Sequence, residues 1–412
     1  MGNGMLLSRM ELPETRCAKC GACVTVCPVF RAEGRESLTA RGRMHLLRLS
    51  EGKSASAMLE NLFSRCLLCG ACEQSCPRRL PITEIIAQTR GNFSSLYGPH
   101  GLQKNMVRSL LGHPRLLEGM VKAGVSLRRI QQLPLSSGLR LRLALPEDRL
   151  SSNKAELAVP AVSEQSAALN DISYFSGCFA QHLRPSIARA TGALLRQLDL
   201  SMYTPPGQRC CGLAAWGAGH IEQARKQAQK NIQAVSGSSG PILASCASCS
   251  SHLHTYPSLF AEDDPWRARA QAFAQRVQEF TTFFQNILQA PKGLANDHRI
   301  FYHDPCHLRW QPEGMGTPRT LLQQAGFSIV EPEDGPHCCG QGGLFHLACP
   351  EISKKIFQQS SRQALAGRPT CITSTCSGCL MQYQLGLAQQ GQSNVRVVHM
   401  ALLLQEALAA SS

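Results

Sequence analysis

The residues best suited to chemistry in this chain of 412 residues are its 20 cysteines. Eight fall into two runs, CAKCGACVTVCP from Cys17 and CLLCGACEQSCP from Cys66. Each cysteine of the first run recurs 49 residues later, as 17/66, 20/69, 23/72 and 27/76. The spacing C-x2-C-x2-C-x3-C-P is that of ferredoxin-type iron–sulfur loops. Three thiolates at this spacing wrap one corner of a cubane, and the fourth ligates the other cluster. The assignment is therefore Cys17, Cys20, Cys23 and Cys76 to one [4Fe–4S] cluster, and Cys66, Cys69, Cys72 and Cys27 to a second. Pro28 and Pro77 turn the chain away after the fourth cysteine, and Gly21 and Gly70 permit the tight loops. Structural zinc is the alternative, but zinc prefers paired CxxC knuckles separated by a longer span.

A second set is also repeated. Cys178, Cys210 and Cys211 recur 128 residues later as Cys306, Cys338 and Cys339. Cys246 and Cys249 recur 130 residues later as Cys376 and Cys379. Each copy offers five thiols. Adjacent cysteines present sulfurs in different directions, which suits a multi-iron group more readily than one tetrahedral ion. Redox metal is the preferred reading, with zinc and a thiol/disulfide site left open. Cys349 and Cys371 have no counterpart in the first copy and are read as buried hydrophobes. His303, His307, His337 and His346 cluster around the second copy; hydrogen-bonded structural roles are preferred over a spare ligand or a proton donor.

The elements that must hold these cysteines follow from the surrounding pattern. Residues 37–49 read as a helix between the first two motifs. ISYFSGCF, RIFYHDPCHL, PILASCASC and CITSTCSGC read as strands running into cysteines. Residues 185–198, 221–235, 317–325 and 352–366 read as helices. Strands alternating with helices imply α/β units on parallel sheets, with the cysteines at strand ends where such sheets place ligands. The fold expected is α+β overall: a helical two-cluster domain over residues 1–133, a Ser- and Pro-rich linker over 134–170, and two repeated α/β modules over 171–290 and 298–405.

Composition excludes several classes. The formal net charge is +14, but a [4Fe–4S] group held by four thiolates carries about −2, so two to four of them offset about −4 to −8. No zinc-finger pattern, RNP motif or long basic run supports nucleic-acid binding. The start MGNGMLLSRMELPETR has no apolar signal region, and no apolar run is long enough for a membrane helix. A cytoplasmic location is expected. Residues 101–133 are basic and apolar; the preferred reading is a pair of packing helices with a solvated basic face, and peripheral contact with an anionic membrane is the alternative. No G-x-G-x-x-G, P-loop or nucleophile elbow is evident, so no flavin or NAD site is expected on this chain. The run of residues 340–343 is read as shaping a cluster loop.

Two ferredoxin motifs followed by two complete CCG-type cysteine sets resemble the glycolate oxidase iron–sulfur subunit family. The stretch LTARGRMHLLR from Leu38 is similar to that family's segment between its cluster motifs. Similar plans occur in the iron–sulfur subunits of D-lactate dehydrogenases, in the small subunit of anaerobic glycerol-3-phosphate dehydrogenase and in heterodisulfide reductases. The resemblance implies an electron-transfer subunit. An FAD-containing dehydrogenase partner would oxidise a 2-hydroxy acid, and electrons would pass through this chain to quinone or another acceptor. It also implies that each five-cysteine set can hold a further cluster. A heterodisulfide-reductase-like subunit, whose CCG groups cleave a disulfide, is the enzyme-class rival. A zinc-stabilised interaction protein is the non-enzyme rival.

Overall fold

The computed structural model describes residues 17–50, 56–93, 172–285, 299–311 and 314–409. The expected linker over 134–170 and the basic segment 101–133 lie outside the described residues.

The N-terminal part is wholly helical. Each cysteine run forms a loop and one turn of helix, Ala22–Thr25 and Ala71–Gln74, entered through a left-handed glycine, Gly21 or Gly70. The helix expected over 37–49 is split. Glu36–Leu38 is a 3-10 turn, and the α-helix is Ala40–Leu49. The break lies at Thr39, whose hydroxyl accepts from Gly42 N at 3.2 Å and so caps the helix start. Helices Ala57–Ser64 and Ile82–Gly91 pack Leu59, Phe63, Ile82 and Ile86 into a small core that the cysteines also line.

The rest is two parallel sheets. The first has β1 (Ile172–Phe175), β2 (Met202–Tyr203), β3 (Ile242–Ala244) and β4 (Val277–Glu279), in the order β2-β1-β3-β4. The second has β5 (Arg299–Tyr302), β6 (Ser328–Val330), β7 (Cys371–Ser374) and β8 (Arg396–His399), in the order β6-β5-β7-β8. Both reverse strand order between their two central strands, which is where open α/β sheets bind ligands. Helices Pro185–Arg196, Ile221–Ala234, Gly316–Gln324 and Pro350–Ala366 lie close to their expected positions.

The modules pack about a pseudo-two-fold axis. Helix Pro185–Arg196 of the first lies on Met400–Ala409 of the second, and Phe280–Gln285 lies on Gly316–Gln324 in the reciprocal contact. One apolar core runs through both, from Ile172, Leu194 and Phe284 to Ile300, Leu321 and Leu404. Burying it holds the two sheets as one body.

Candidate metal centres

In the N-terminal part the cysteines meet in two cavities. One is lined by Cys17, Cys20, Cys23 and Cys76, together with Cys72. The other is lined by Cys27, Cys66, Cys69 and Cys72. The fourth cysteine of each run thus lines the cavity of the other run's triplet, with Cys72 shared between the two. Cys20 is exposed and the others are partly buried.

The loops are held from behind by two buried arginines. Arg43 donates to Leu62 O and Arg65 O at 2.9 Å each, and also to Leu38 O. Arg90 donates to Phe63 O at 2.9 Å and Cys66 O at 2.7 Å, and reaches Gly217 O in the first α/β module. Carbonyls before Cys66 are therefore fixed by cationic forks. Burial pushes the thiols of Cys23, Cys27, Cys69 and Cys72 up. Four thiolates around such a cavity need a cationic group to balance them, so the donor set fits iron.

In the α/β modules the cysteines gather beyond the carboxyl ends of the central strands. Cys178 follows β1, Cys246 follows β3, Cys306 follows β5 and Cys376 follows β7. In the first copy Cys178, Cys210, Cys211, Cys249 and Cys246 stand in hydrogen-bonding succession. The Cys210 thiol first, with burial behind it, pushes Cys178 and Cys211 up, the Cys249 thiol opposing at Cys211. Cys210 is held down by Cys178, with burial opposing. In the second copy Cys339 Sγ lies 3.3 Å from Cys379 Sγ, with Cys338 and Cys376 beside them. Cys306 is held down, since His307 outweighs its burial, and its Sγ is 3.8 Å from His307 Nδ1. Five thiols so close cannot all ionise without a cation, and both sets fit a metal group on that ground.

Among the described histidines, His303 joins the cysteines as a potential ligand group: its ring nitrogen, Cys339 Sγ and Cys379 Sγ lie within 4.8 Å of one another. His303 Nδ1 is also 3.3 Å from the Tyr383 hydroxyl. His307 stands 3.1 Å from Ser248 Oγ, and His346 donates to Gly343 O at 2.8 Å. His337 is half-buried beside Cys338. Cys349 is buried in an apolar core against which Cys27, Cys69 and Cys338 also pack, and Cys371 is buried in the core that runs through both modules. Gly340, Gly342 and Gly343 all have positive φ, and Gly342 packs on Leu67 of the second ferredoxin-type loop.

Two junctions were not visible in the sequence. Trp310 Nε1 donates to Cys69 O at 2.8 Å, and Cys69 feels the charge of Cys306. Between the modules Cys246 and Cys376 are in mutual reach, and Ser248 Oγ is 3.1 Å from Cys376 Sγ. The cysteine groups consequently form one line: the Cys20 set, the Cys69 set, the second α/β set and the first α/β set.

This combination of a two-cluster helical part and twin cysteine-bearing α/β modules defines a class of iron–sulfur proteins. The family profile of a 4Fe-4S dicluster domain matches residues 14–80, and that of a cysteine-rich domain matches residues 172–254 and 300–384. A probable glycolate oxidase iron-sulfur subunit of Bacillus subtilis is 27% identical over 95% of this chain and 93% of its own length. The glycolate oxidase iron-sulfur subunit of Escherichia coli is 22% identical over the same shares of each chain, 95% and 93%. Lactate utilization protein A of Anoxybacillus flavithermus is 28% identical over 57% of this chain and 98% of its own length. Over nearly its whole length the chain is similar to glycolate oxidase iron–sulfur subunits, and it carries the 4Fe-4S dicluster domain and the cysteine-rich domain. No helix among the described residues is long and apolar enough to cross a membrane.

Proposed function

We propose that this chain is the electron-transfer subunit of a flavin-dependent 2-hydroxy-acid dehydrogenase, with glycolate or lactate as substrate class. The observation that carries the reading is the unbroken line of cysteine groups from exposed Cys20 to buried Cys210. Cys17, Cys20, Cys23 and Cys76 would hold one [4Fe–4S] cluster, and Cys66, Cys69, Cys72 and Cys27 the second. Cys178, Cys210, Cys211, Cys246 and Cys249, and their counterparts Cys306, Cys338, Cys339, Cys376 and Cys379, would each hold a further iron–sulfur group. Such groups supply one-electron steps, which a two-electron flavin on a partner chain requires of its acceptor. The protein's own part is positioning: Arg43 and Arg90 fix the loops, and Trp310 seats the second module against Cys69. The names of the relatives support glycolate and lactate as substrates; quinone is the acceptor we infer.

A second reading, disulfide reduction at the α/β modules, is favoured by one observation. Both five-cysteine sets are complete, and they meet at Cys246 and Cys376. Anaerobic purification from the native host separates the two. Co-purification of a flavoprotein, with bleaching of visible absorbance by glycolate, D-lactate or L-lactate, is expected. Retention of colour with every hydroxy acid, together with turnover of a disulfide by the reduced protein, would replace the first reading by the second.

A further inference from the structure

The pseudo-two-fold axis brings two equivalent polar triads to the seam between the modules. Each combines a tyrosine at the end of one module's first strand, a hydroxyl residue before that module's CxxC, and a titratable residue ending the other module's last strand. In one triad these are Tyr174, Ser245 and His399; in the other they are Tyr302, Thr375 and Glu279. The equivalence is read from the register, which pairs Ala244 with Glu279 and Ser374 with His399.

The first triad is fully paired. Tyr174 Oη lies 2.7 Å from Ser245 Oγ, and His399 Nε2 donates to Ser245 O at 2.9 Å. His399 Nδ1 accepts from Ala401 N at 3.1 Å, starting the helix that follows. Both ring nitrogens are occupied and the imidazole is locked as one neutral tautomer.

The second triad is not. Glu279 Oε2 starts its own helix in the same way, accepting from Thr281 N at 2.6 Å and Thr282 N at 3.3 Å, and from the Thr281 hydroxyl. Its other oxygen, Oε1, is free, and so are the Tyr302 hydroxyl and Thr375 Oγ1. The three residues are 3%, 1% and 0% exposed. The Thr375 hydroxyl stands close enough to act on both the carboxyl and the phenol, yet none of the three oxygens completes a well-formed hydrogen bond. Three such oxygens in one dry place are costly unless a proton or a further donor is supplied.

The other titratable and charged groups facing this spot are few. Asp304 and Arg319 act on Tyr302 from the second module, with Arg319 5.7 Å from its ring. Arg319 joins Asp304 at 2.8 Å to the half-exposed Glu331 at 2.6 Å, a polar connection toward solvent. His399, 5.9 Å from the Phe280 ring, also reaches the Thr375 backbone and feels the charge of Cys246, and burial holds it down. Burial pushes the Glu279 carboxyl above the ordinary carboxylate range, and its Thr partners only partly oppose this.

We propose that Glu279 Oε1, flanked by the Tyr302 phenol and the Thr375 hydroxyl, is a buried proton-binding site serving the cysteine groups that meet at Cys246 and Cys376. The inference rests on the reading that these groups hold a redox centre. Thr375 directly precedes Cys376, so negative charge arriving there acts on Glu279 across one residue. When one electron from a reduced flavin or dithionite is taken up, the Glu279 carboxylate binds one proton from solvent and becomes the acid. One O–H bond forms, and the charge added by the electron is cancelled.

The test is redox-difference infrared spectroscopy of the dithionite-reduced whole protein, with potentiometry at several pH values. Reduction should produce a carboxylic-acid carbonyl band that shifts in D2O and is absent in Glu279→Gln. The midpoint of the centre in the α/β modules should fall with rising pH by up to tenfold in equilibrium constant per pH unit, about 59 mV for one electron, and this slope should flatten in the variant. A wild-type protein whose clusters bleach normally, with no D2O-sensitive carboxyl band and a pH-independent midpoint, would overturn the proton site and leave electron transfer standing. Absence of any bleaching would remove both. The wild-type measurements decide even if the variant folds poorly.

Discussion

Arg43 is buried in the middle of a helix, where a charge is expensive unless every donor is used. It is used, on the carbonyls of Leu38, Leu62 and Arg65. Arg43→Met removes the guanidinium from those carbonyls, leaving Leu38 O only the weak Cys27 thiol among its side-chain donors. It should cost about 3 kcal/mol or more in denaturant unfolding, and iron bound per chain should fall. Arg43→Lys should restore only part of both, because an ammonium cannot reproduce the planar fork. Glu279 makes a residue-scale prediction of opposite character. Its folded carboxyl is raised above its ordinary value of 4.5, so the folded state binds the proton more tightly than the unfolded state. That stabilisation is complete below pH 4.5 and is lost as pH rises through the folded value. The stability of the wild type relative to Glu279→Gln, followed by denaturant unfolding at several pH values, should therefore decline across that window. A difference constant with pH would mean that the carboxyl titrates normally in the folded protein.

At the scale of elements, the junction between the N-terminal helices and the first module is a backbone contact. Gly219 has φ +85°, and a Cβ there would lie 2.6 Å from Arg90 C and 2.9 Å from Arg90 Cβ, besides pressing on Gly91 N. Backbone on the facing helix cannot swing aside as a side chain can. Gly219→Ala combines left-handed strain with overpacking and should cost about 2–4 kcal/mol. Proteolysis after Arg90 should quicken, while β1–β4 keep their protection from hydrogen exchange. The strands and helices of this region were legible because strands run into cysteines at repeated intervals and helices fill the spaces between. The junctions were not. Trp310 and Cys69 are 241 residues apart, and nothing in either local pattern names the other. Glu279 was equally silent: in VQEFTTFF a lone acid reads as a solvated residue. Only superposing the two repeats, which puts Glu279 where His399 stands, marks it as a buried position. For residues 17–76 the grouping of thiols around the two cavities was legible, since the cysteine spacing itself encodes a loop too short to close on its own fourth thiol.

Over the whole molecule, the two halves stay folded for different reasons, and metal removal should separate them. The helices carrying the first cysteines, Ala22–Thr25 and Ala71–Gln74, have four residues each. Helices shorter than ~12–15 residues are marginal in water. Much of their local packing is against Cys17, Cys23, Cys66, Cys72 and Cys76, beside a core of a few residues around Phe63 and Ile86. The α/β half instead buries a long apolar core across both sheets, with Phe280, Phe284, Ile300, Leu321, Met400 and Leu404 at its centre and none of the paired cysteine sets within it. Stripping iron with an anaerobic chelator should therefore raise amide exchange first and most over residues 17–50 and 56–93, where binding energy is folding energy. β1, β3, β5 and β7 should remain protected. The loop around residues 306–310 should loosen with the N-terminal part, because Trp310 is held by Cys69 O. Uniform exchange over both halves would mean that the sheets, too, depend on metal held at the strand ends. Unchanged protection over residues 17–93 would mean that the small core suffices without it.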